Sequence, residues 1–162
     1  MKAPAPVNRF HTEKTEHKLS ESMDLLSSTQ SIIKAAVKRL GYTEEMYELL
    51  KEPLRVITVR IPVRMDDGSI KIFTGYRSQH NDAVGPTKGG VRFHPEVNED
   101  EVKALSIWMS LKCGITNLPY GGGKGGIVCD PRDMSFRELE GLSRGYVRAI
   151  SQIVGPTKDI PA

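Results

Sequence analysis

The sequence predicts an α/β fold, because two kinds of hydrophobic period alternate along it. Apolar residues recur at helical spacing from Leu25 to Leu40, alternate strictly over residues 54 to 65, and return to helical spacing after Asn98 and again after Ser135. With 162 residues the chain fits one domain. Domains of that size bury roughly 68 to 70 per cent of the unfolded surface and need no staples.

Taken in order, residues 1 to 20 are polar, contain proline and show no period, so they read as a mobile N-terminal tail ahead of one domain over 21–162. Leu25, Leu26, Thr29, Ile32, Ile33, Ala36, Val37 and Leu40 predict an amphipathic helix, with Gly41 at the position of a C-cap glycine. Thr43 is the N-cap of a second helix over residues 44 to 51, which stops before Pro53. Ile57, Val59, Ile61, Val63 and Met65 then form one face of a half-buried strand, and Thr58, Arg60 and Arg64 the other. Asp66-Asp67-Gly68-Ser69 is a turn, and the chain returns as a second strand from Ile70 to Ser78, closing a hairpin. Pro62 lacks a donor, which places the first strand at an edge or an irregularity.

His80 to Pro95 carries Gly85-Pro86, Gly89-Gly90 and Pro95, and is expected to be a ligand-approaching loop around a short strand at 91 to 93. Asn98 caps the next helix with Glu101 at the capping-box position, and Val102, Leu105, Trp108, Met109 and Lys112 fall on one stripe expected to face inward. Residues 119 to 126 are expected to form a loop leading to a short apolar strand at Ile127-Val128-Cys129. Ser135 and Glu138 form a capping box for a last helix with Leu139, Leu142, Tyr146, Val147 and Ile150 inward, stopped by Gly155-Pro156.

The formal net charge of +3 is spread among interleaved acids and bases, so no basic face argues for nucleic acid. Small anions remain suitable ligands. Cys113 and Cys129 have neither disulfide nor metal spacing, which fits free thiols in a reducing compartment. No apolar run reaches the 18 or so residues of a membrane span and the N-terminus has no signal-like core, so a cytoplasmic protein with no membrane partner is expected.

Residues 119 to 126 read Pro-Tyr-Gly-Gly-Gly-Lys-Gly-Gly, one lysine among five glycines. Glycine lets backbone approach a ligand closely and adopt positive φ, so Lys124 is a candidate acid or base. The dinucleotide pattern is matched literally by Gly121, Gly123 and Gly126, but it requires a strand before it and a helix after it, and the order here is reversed. The P-loop pattern fails too, since Leu118 stands at its first glycine and Gly125 at its Ser or Thr.

Lys88 precedes Gly89-Gly90, Lys112 ends a helical stripe and Lys124 sits in the glycine tract. Each taken alone reads as a surface lysine, and Lys112 would simply favour the helix C-terminus. Together they describe a pocket of surplus positive charge that would hold a dianion and depress the pKa of its most desolvated ammonium. An amine tuned to about 7 to 8 serves as both base and acid near neutrality. The scattered His80, Asp82, His94 and Glu96 have no metal-site spacing, Trp108 reads as core, and Cys129 reads as a small buried hydrophobe.

These residues carry a resemblance. Lys88-Gly89-Gly90-Val91-Arg92-Phe93-His94-Pro95, the helix ending in Lys112, and Pro119 to Gly126 followed by Asp130-Pro131 resemble the N-terminal domain of hexameric glutamate dehydrogenases of the bacterial type, from about Leu25 to Ala162. The resemblance implies a three-layer domain with a mixed sheet flanked by helices. It implies that Lys124 activates the water attacking an iminium carbon and protonates departing ammonia, that Lys112 binds the α-carboxylate, and that Met109 walls the pocket. Lys88 would grip the side-chain carboxylate, with Gly89 and Gly90 admitting backbone. Related leucine, valine and phenylalanine dehydrogenases carry an apolar residue at the position of Lys88, so the resemblance favours glutamate and 2-oxoglutarate.

The same resemblance implies a homo-oligomer, hexameric in the parent enzyme. It also implies NAD or NADP bound by a Rossmann domain beyond Ala162 and a catalytic aspartate two residues past Pro161-Ala162, both absent from this sequence. The chain by itself is therefore expected to be inactive as a dehydrogenase. A non-catalytic assembly or regulatory module that kept the fold is the alternative from another class, and a parent acting on another acidic amino acid is a second.

Overall fold

The computed structural model describes residues 25–162, so the tail expected over 1–20 lies outside the described residues. Among the described residues four α-helices and six strands alternate along the chain. Helix α1 spans 25–39, and Gly41 just beyond it has φ +74, the left-handed conformation that makes glycine the C-cap residue of choice. Thr29, Ile33 and Val37 are buried, whereas Ile32 and Leu40 of the predicted face are 60% and 71% exposed. Helix α2 (Glu44–Leu50) starts after Thr43 as expected, although the Thr43 side chain caps no backbone N–H.

Strands β1 (Arg55–Arg64) and β2 (Ile70–Asn81) form the expected antiparallel hairpin. Gly68 takes φ +84 in its turn. β1 is an edge strand, and Pro62 sits on it, where a missing donor costs little. β2 runs three residues past the predicted end at Ser78, so His80 belongs to a strand rather than to a loop. The rest of the expected loop is also partly ordered, as β3 (Thr87–Gly89) and β4 (Val91–Phe93).

The main departure from expectation is the glycine tract. Gly121–Ile127 is strand β5, the middle of the sheet rather than a loop. It pairs antiparallel with β2 and parallel with both β3 and β4, and β6 (Asp159–Pro161) completes the order β1-β2-β5-β3-β6. None of its glycines has positive φ. What the strand needs from them is the absent Cβ. A Cβ on Gly122 would overlap the backbone of Ser106 and Ser110, one on Gly126 would lie 2.5 Å from Val97, and one on Gly125 2.5 Å from the Tyr146 hydroxyl.

Those clashes show which helix covers which face. α3 (Glu99–Ile115) lies against the face of Gly122, Lys124 and Gly126, and α4 (Phe136–Ile150) covers the opposite face. α1 packs on the outside of α3 through Ile33, Val37 and Ile107. Asn98 caps α3 by accepting from the Glu101 N–H at 2.9 Å. The buried residues of α3 are Val102, Ala104, Ser106, Ile107 and Cys113, while Trp108 is 47% exposed and Lys112 is exposed, contrary to the predicted stripe. A helix that rests on a glycine strand has room beneath it only for small side chains, so Ser106, Ser110 and Cys113 take the inner face and bulkier residues move to its flanks.

The capping box of Ser135 and Glu138 opens α4 as predicted. Leu142, Tyr146 and Ile150 enter the main core with Ile61, Val63, Phe73, Ile127 and Cys129. Val147, expected inward, is 54% exposed, because the buried row advances by four residues and 147 falls beside it. The helix ends at Ile150, ahead of the predicted stop at Gly155-Pro156. Among the described residues no helix is long and apolar enough to cross a membrane.

Candidate functional site

Lys124 projects from β5 between Gly122 and Gly126, on the face covered by α3. Its register partner across the antiparallel pair is Ser78, whose hydroxyl shares a 2.8 Å hydrogen bond with the Ser106 hydroxyl. Next to it, His80 is held between the Ser110 hydroxyl at 2.7 Å and the Leu50 carbonyl at 2.9 Å, and burial pushes its pKa down. The floor beside Lys124 is thus built from small polar groups that already have partners.

Lys124 is half-buried, and burial lowers its pKa from the ordinary lysine value. The Glu101 carboxylate acts in the opposite sense, while the Arg77 and Arg92 cations add to the lowering. Arg92 stands on β4 in register with Gly126 and forms an ion pair with Glu101 of α3. The second Glu101 oxygen, Oε2, is buried with no hydrogen-bond partner among the described residues.

Lys88 lies on the strand next to β5, in register with Gly122, so parallel pairing sets it on the same face as Lys124. Between Lys88 and Arg92 comes Gly90, which accepts from the Gly125 N–H at 2.9 Å. A Cβ on Gly90 would lie 3.9 Å from the Lys124 ammonium nitrogen and 3.0 Å from the Ala162 carbonyl oxygen. A Cβ on Gly89 would overlap the Gly123 carbonyl. The two glycines therefore serve different ends: Gly89 lets two strands pack, and Gly90 leaves space beside an amine.

Met109 and Lys112 stand on α3, whose Ser106 and Ser110 meet Gly122, level with Lys88. Met109 is half-buried on the flank, and Lys112 is exposed beside a groove that Thr29, Ile32, Trp108 and Ile115 also line. The structure thus sets Lys88 and Lys124 on neighbouring strands of the sheet with Gly90 at the junction of β3 and β4, whereas Lys112 faces the groove between α1 and α3.

A second set of residues lies under this site on the α4 face. Arg77 is wholly buried and pairs with the equally buried Asp159 through Nε to Oδ2 at 2.7 Å and Nη2 to Oδ1 at 2.5 Å. Its Nη1 donates to the Gly89 carbonyl at 3.2 Å and reaches the Gly90 carbonyl at 3.5 Å. Gln79 donates to Asp159 at 2.8 Å and to the Ile153 carbonyl at 3.1 Å. Sequence reading missed this network. The signal was present, since alternation along β2 puts Phe73, Gly75, Arg77 and Gln79 on one face, and an arginine in an inward row calls for a buried partner.

The family model described as Glu/Leu/Phe/Val dehydrogenase, dimerisation domain, matches residues 53–162, a range that contains every residue of this site. The chain belongs to that family. The chain is 80% identical over 142 residues to the catabolic NAD-specific glutamate dehydrogenase RocG of Bacillus subtilis, a match covering 88% of the chain and 34% of that protein. It is 74% identical over 144 residues to the NAD-specific glutamate dehydrogenase of Staphylococcus aureus, covering 89% of the chain and 35% of the relative. Among solved structures, the glutamate dehydrogenase of Peptoniphilus asaccharolyticus superposes with a TM-score of 0.83 at 58% identity, over 85% of this chain and 34% of that one. The hetero-hexameric glutamate dehydrogenase of Thermus thermophilus gives 0.74 at 36% identity, over 99% and 35%. The chain spans about a third of the length of the curated relatives it matches.

The Bacillus and Staphylococcus relatives are named as NAD-specific, but the described residues do not fit a dinucleotide. Its pyrophosphate is normally cradled where a glycine turn leads from a strand into a helix N-terminus. Among the described residues neither strand-to-helix connection, 94–98 or 128–135, contains a glycine, and the glycines of β5 are closed over by α3 and α4.

Proposed function

We propose that this domain supplies the substrate-holding and proton-transferring side of an NAD-dependent glutamate dehydrogenase, which interconverts L-glutamate with 2-oxoglutarate and ammonia. The observation that carries the reading is Lys124, an amine with a lowered pKa on the same sheet face as Lys88, in a strand whose glycines leave no room for a Cβ. The relatives' shared activity supports it. NAD would be held by parts of the enzyme other than the described residues, and would supply hydride-accepting chemistry there.

Lys88 holds the side-chain carboxylate of the substrate, with Gly90 keeping the neighbouring space open. Lys112 takes the α-carboxylate from the end of α3, and Met109 closes the flank between the two. Lys124, once neutral, accepts the proton of the water that attacks the substrate's iminium carbon, and returns it to the departing ammonia. Lys88 and Lys124 share a sheet face, so a bound dianion both neutralises the surplus charge and orients the carbon toward the amine.

Self-association belongs to the same proposal, since the matched family is described as a dimerisation domain; the finer expectation is a homo-hexamer in the parent enzyme. Sedimentation velocity should show species larger than a monomer, and a monomer at all concentrations rejects it. For the substrate, calorimetry of the chain with 2-oxoglutarate should show weak binding that Lys88→Ala abolishes. Absence of binding, or binding unchanged by Lys88→Ala, overturns the reading.

A further inference from the structure

We propose that Arg77, on the sheet face opposite Lys124, is a positioning residue for the lysine site: it fixes the backbone of Gly89 and Gly90 and, through Asp159, strand β6. The proposal rests on the substrate reading above and deepens it.

A wholly buried guanidinium is costly unless every donor is used. Arg77 uses its donors on two targets far apart in sequence. One edge forms the bidentate pair with Asp159, the first residue of β6. The remaining nitrogen, Nη1, turns to the carbonyls of Gly89 and Gly90. Gln79 holds the same Asp159 carboxylate from the other side. The cation therefore clamps β6 against the junction of β3 and β4.

That junction is part of the lysine site. The Ala162 N–H donates to the Gly89 carbonyl at 3.1 Å, and the Gly90 carbonyl accepts from Gly125, the residue after Lys124. Gly90 lies between the Lys124 ammonium and the Ala162 carbonyl. Removing Arg77 leaves the Gly89 and Gly90 carbonyls with their backbone partners alone and releases Asp159, so β6 and the β3–β4 junction that carries Lys88 lose the clamp that fixes them relative to Lys124. A residue that only filled the core would have no reason to reach those two carbonyls, which a methionine of similar length would leave to the strands.

The charged groups that act on Lys124 are Glu101 from α3, Arg92 from β4 and Arg77 from β2, and Lys88 on β3 shares its sheet face. Removing the Arg77 cation should therefore make Lys124 harder to deprotonate as well as misplacing it.

The test reads Lys124 directly. The chain is labelled with acetic anhydride from neutral to alkaline pH, and Lys124 acetylation is followed by peptide mass spectrometry against the exposed Lys38. The double variant Arg77→Met/Asp159→Asn removes both buried charges, so no ion is left unpaired. With helix content unchanged, its Lys124 profile should move to higher pH, and 2-oxoglutarate affinity should fall about tenfold, the size expected for losing hydrogen bonds to a charged group. Arg77→Lys restores the cation without the fork, and should return the labelling profile toward that of the unsubstituted chain while leaving affinity reduced. An unchanged Lys124 profile in a folded double variant overturns the proposal. Should the double variant not fold, Arg77→Lys decides, and behaviour identical to the unsubstituted chain in both readouts overturns it. Failure of the unsubstituted chain to bind 2-oxoglutarate would sink the substrate reading alone, because Lys124 labelling needs no ligand.

Discussion

Lys124 and Gly90 share one space: the position a Cβ would take on Gly90 is 3.9 Å from the Lys124 ammonium nitrogen. Substitution there tests whether that space is used. A single methyl group is in ordinary contact with the amine but sits 3.0 Å from the Ala162 carbonyl oxygen, tight enough that this carbonyl must give by a few tenths of an ångström. Gly90→Val adds bulk beyond that methyl group, in the space that the amine shares. The expected outcome is an acetylation rate at Lys124 reduced by about tenfold with a helical circular dichroism signal unchanged. Equal rates would show that the opening beside Gly90 is not the route to the amine.

Gly122 and Gly126 both face α3, but they meet different things. A Cβ on Gly122 would run into the backbone of Ser106 and Ser110, which cannot rotate away. On Gly126 it would meet the side chains of Val97 and Val102, which can shift. Overpacking of a tight core costs about 1 to 3 kcal/mol. Urea unfolding should therefore place Gly122→Ala at or above the top of that range and Gly126→Ala nearer its bottom. The reverse order would mean that α3 moves off the sheet as readily as a side chain turns.

The fold was legible where local signals were self-sufficient. The alternation of Ile57, Val59, Ile61 and Val63, the turn at Gly68, and the caps at Asn98 and Ser135 each carry their own physical cause within a few residues. The glycine tract was not, because a strand of glycines has no hydrophobic period and reads as loop until its neighbours are known. The inner face of α3 was misread for the same reason, since Ser106 and Ser110 are inward only because β5 is made of glycine. Of the site, Lys88 and Lys124 stood out as lysines beside glycines, whereas the Arg77–Asp159 pair joins residues whose partnership local pattern does not show.

Tyr146 gives a stability prediction with a definite sign. Its ring is buried in the core against α4's partner strands, and its hydroxyl donates to the Tyr76 carbonyl at 2.8 Å. Burial pushes its pKa up from 10.0 to about 12. A folded-state pKa above the unfolded one favours the fold fully below pH 10, and that advantage disappears as pH rises through about 12. At roughly 1.4 kcal/mol per pKa unit the loss is on the order of 2 to 3 kcal/mol. Chemical denaturation measured as pH is raised through this window should show that decline, and Tyr146→Phe should flatten it while lowering stability at neutral pH through the lost hydrogen bond. A Phe variant that keeps the full alkaline decline would assign it elsewhere.

Glu101 and Arg92 act on Lys124 in opposite directions while bonded to each other, which fixes the sign of two substitutions. The carboxylate favours the ammonium form and the guanidinium disfavours it, on top of the lowering that burial causes. Glu101→Gln removes the favourable anion and also leaves the Arg92 charge without its partner, so both consequences lower the Lys124 pKa further. Arg92→Gln removes a repelling cation and leaves the Glu101 anion unopposed, so both consequences raise it. Acetylation profiles of Lys124 should shift to lower pH in the first variant and to higher pH in the second. If both moved in the same direction, the charges around Lys124 would not be what sets its protonation, and desolvation between β5 and α3 would be the whole cause.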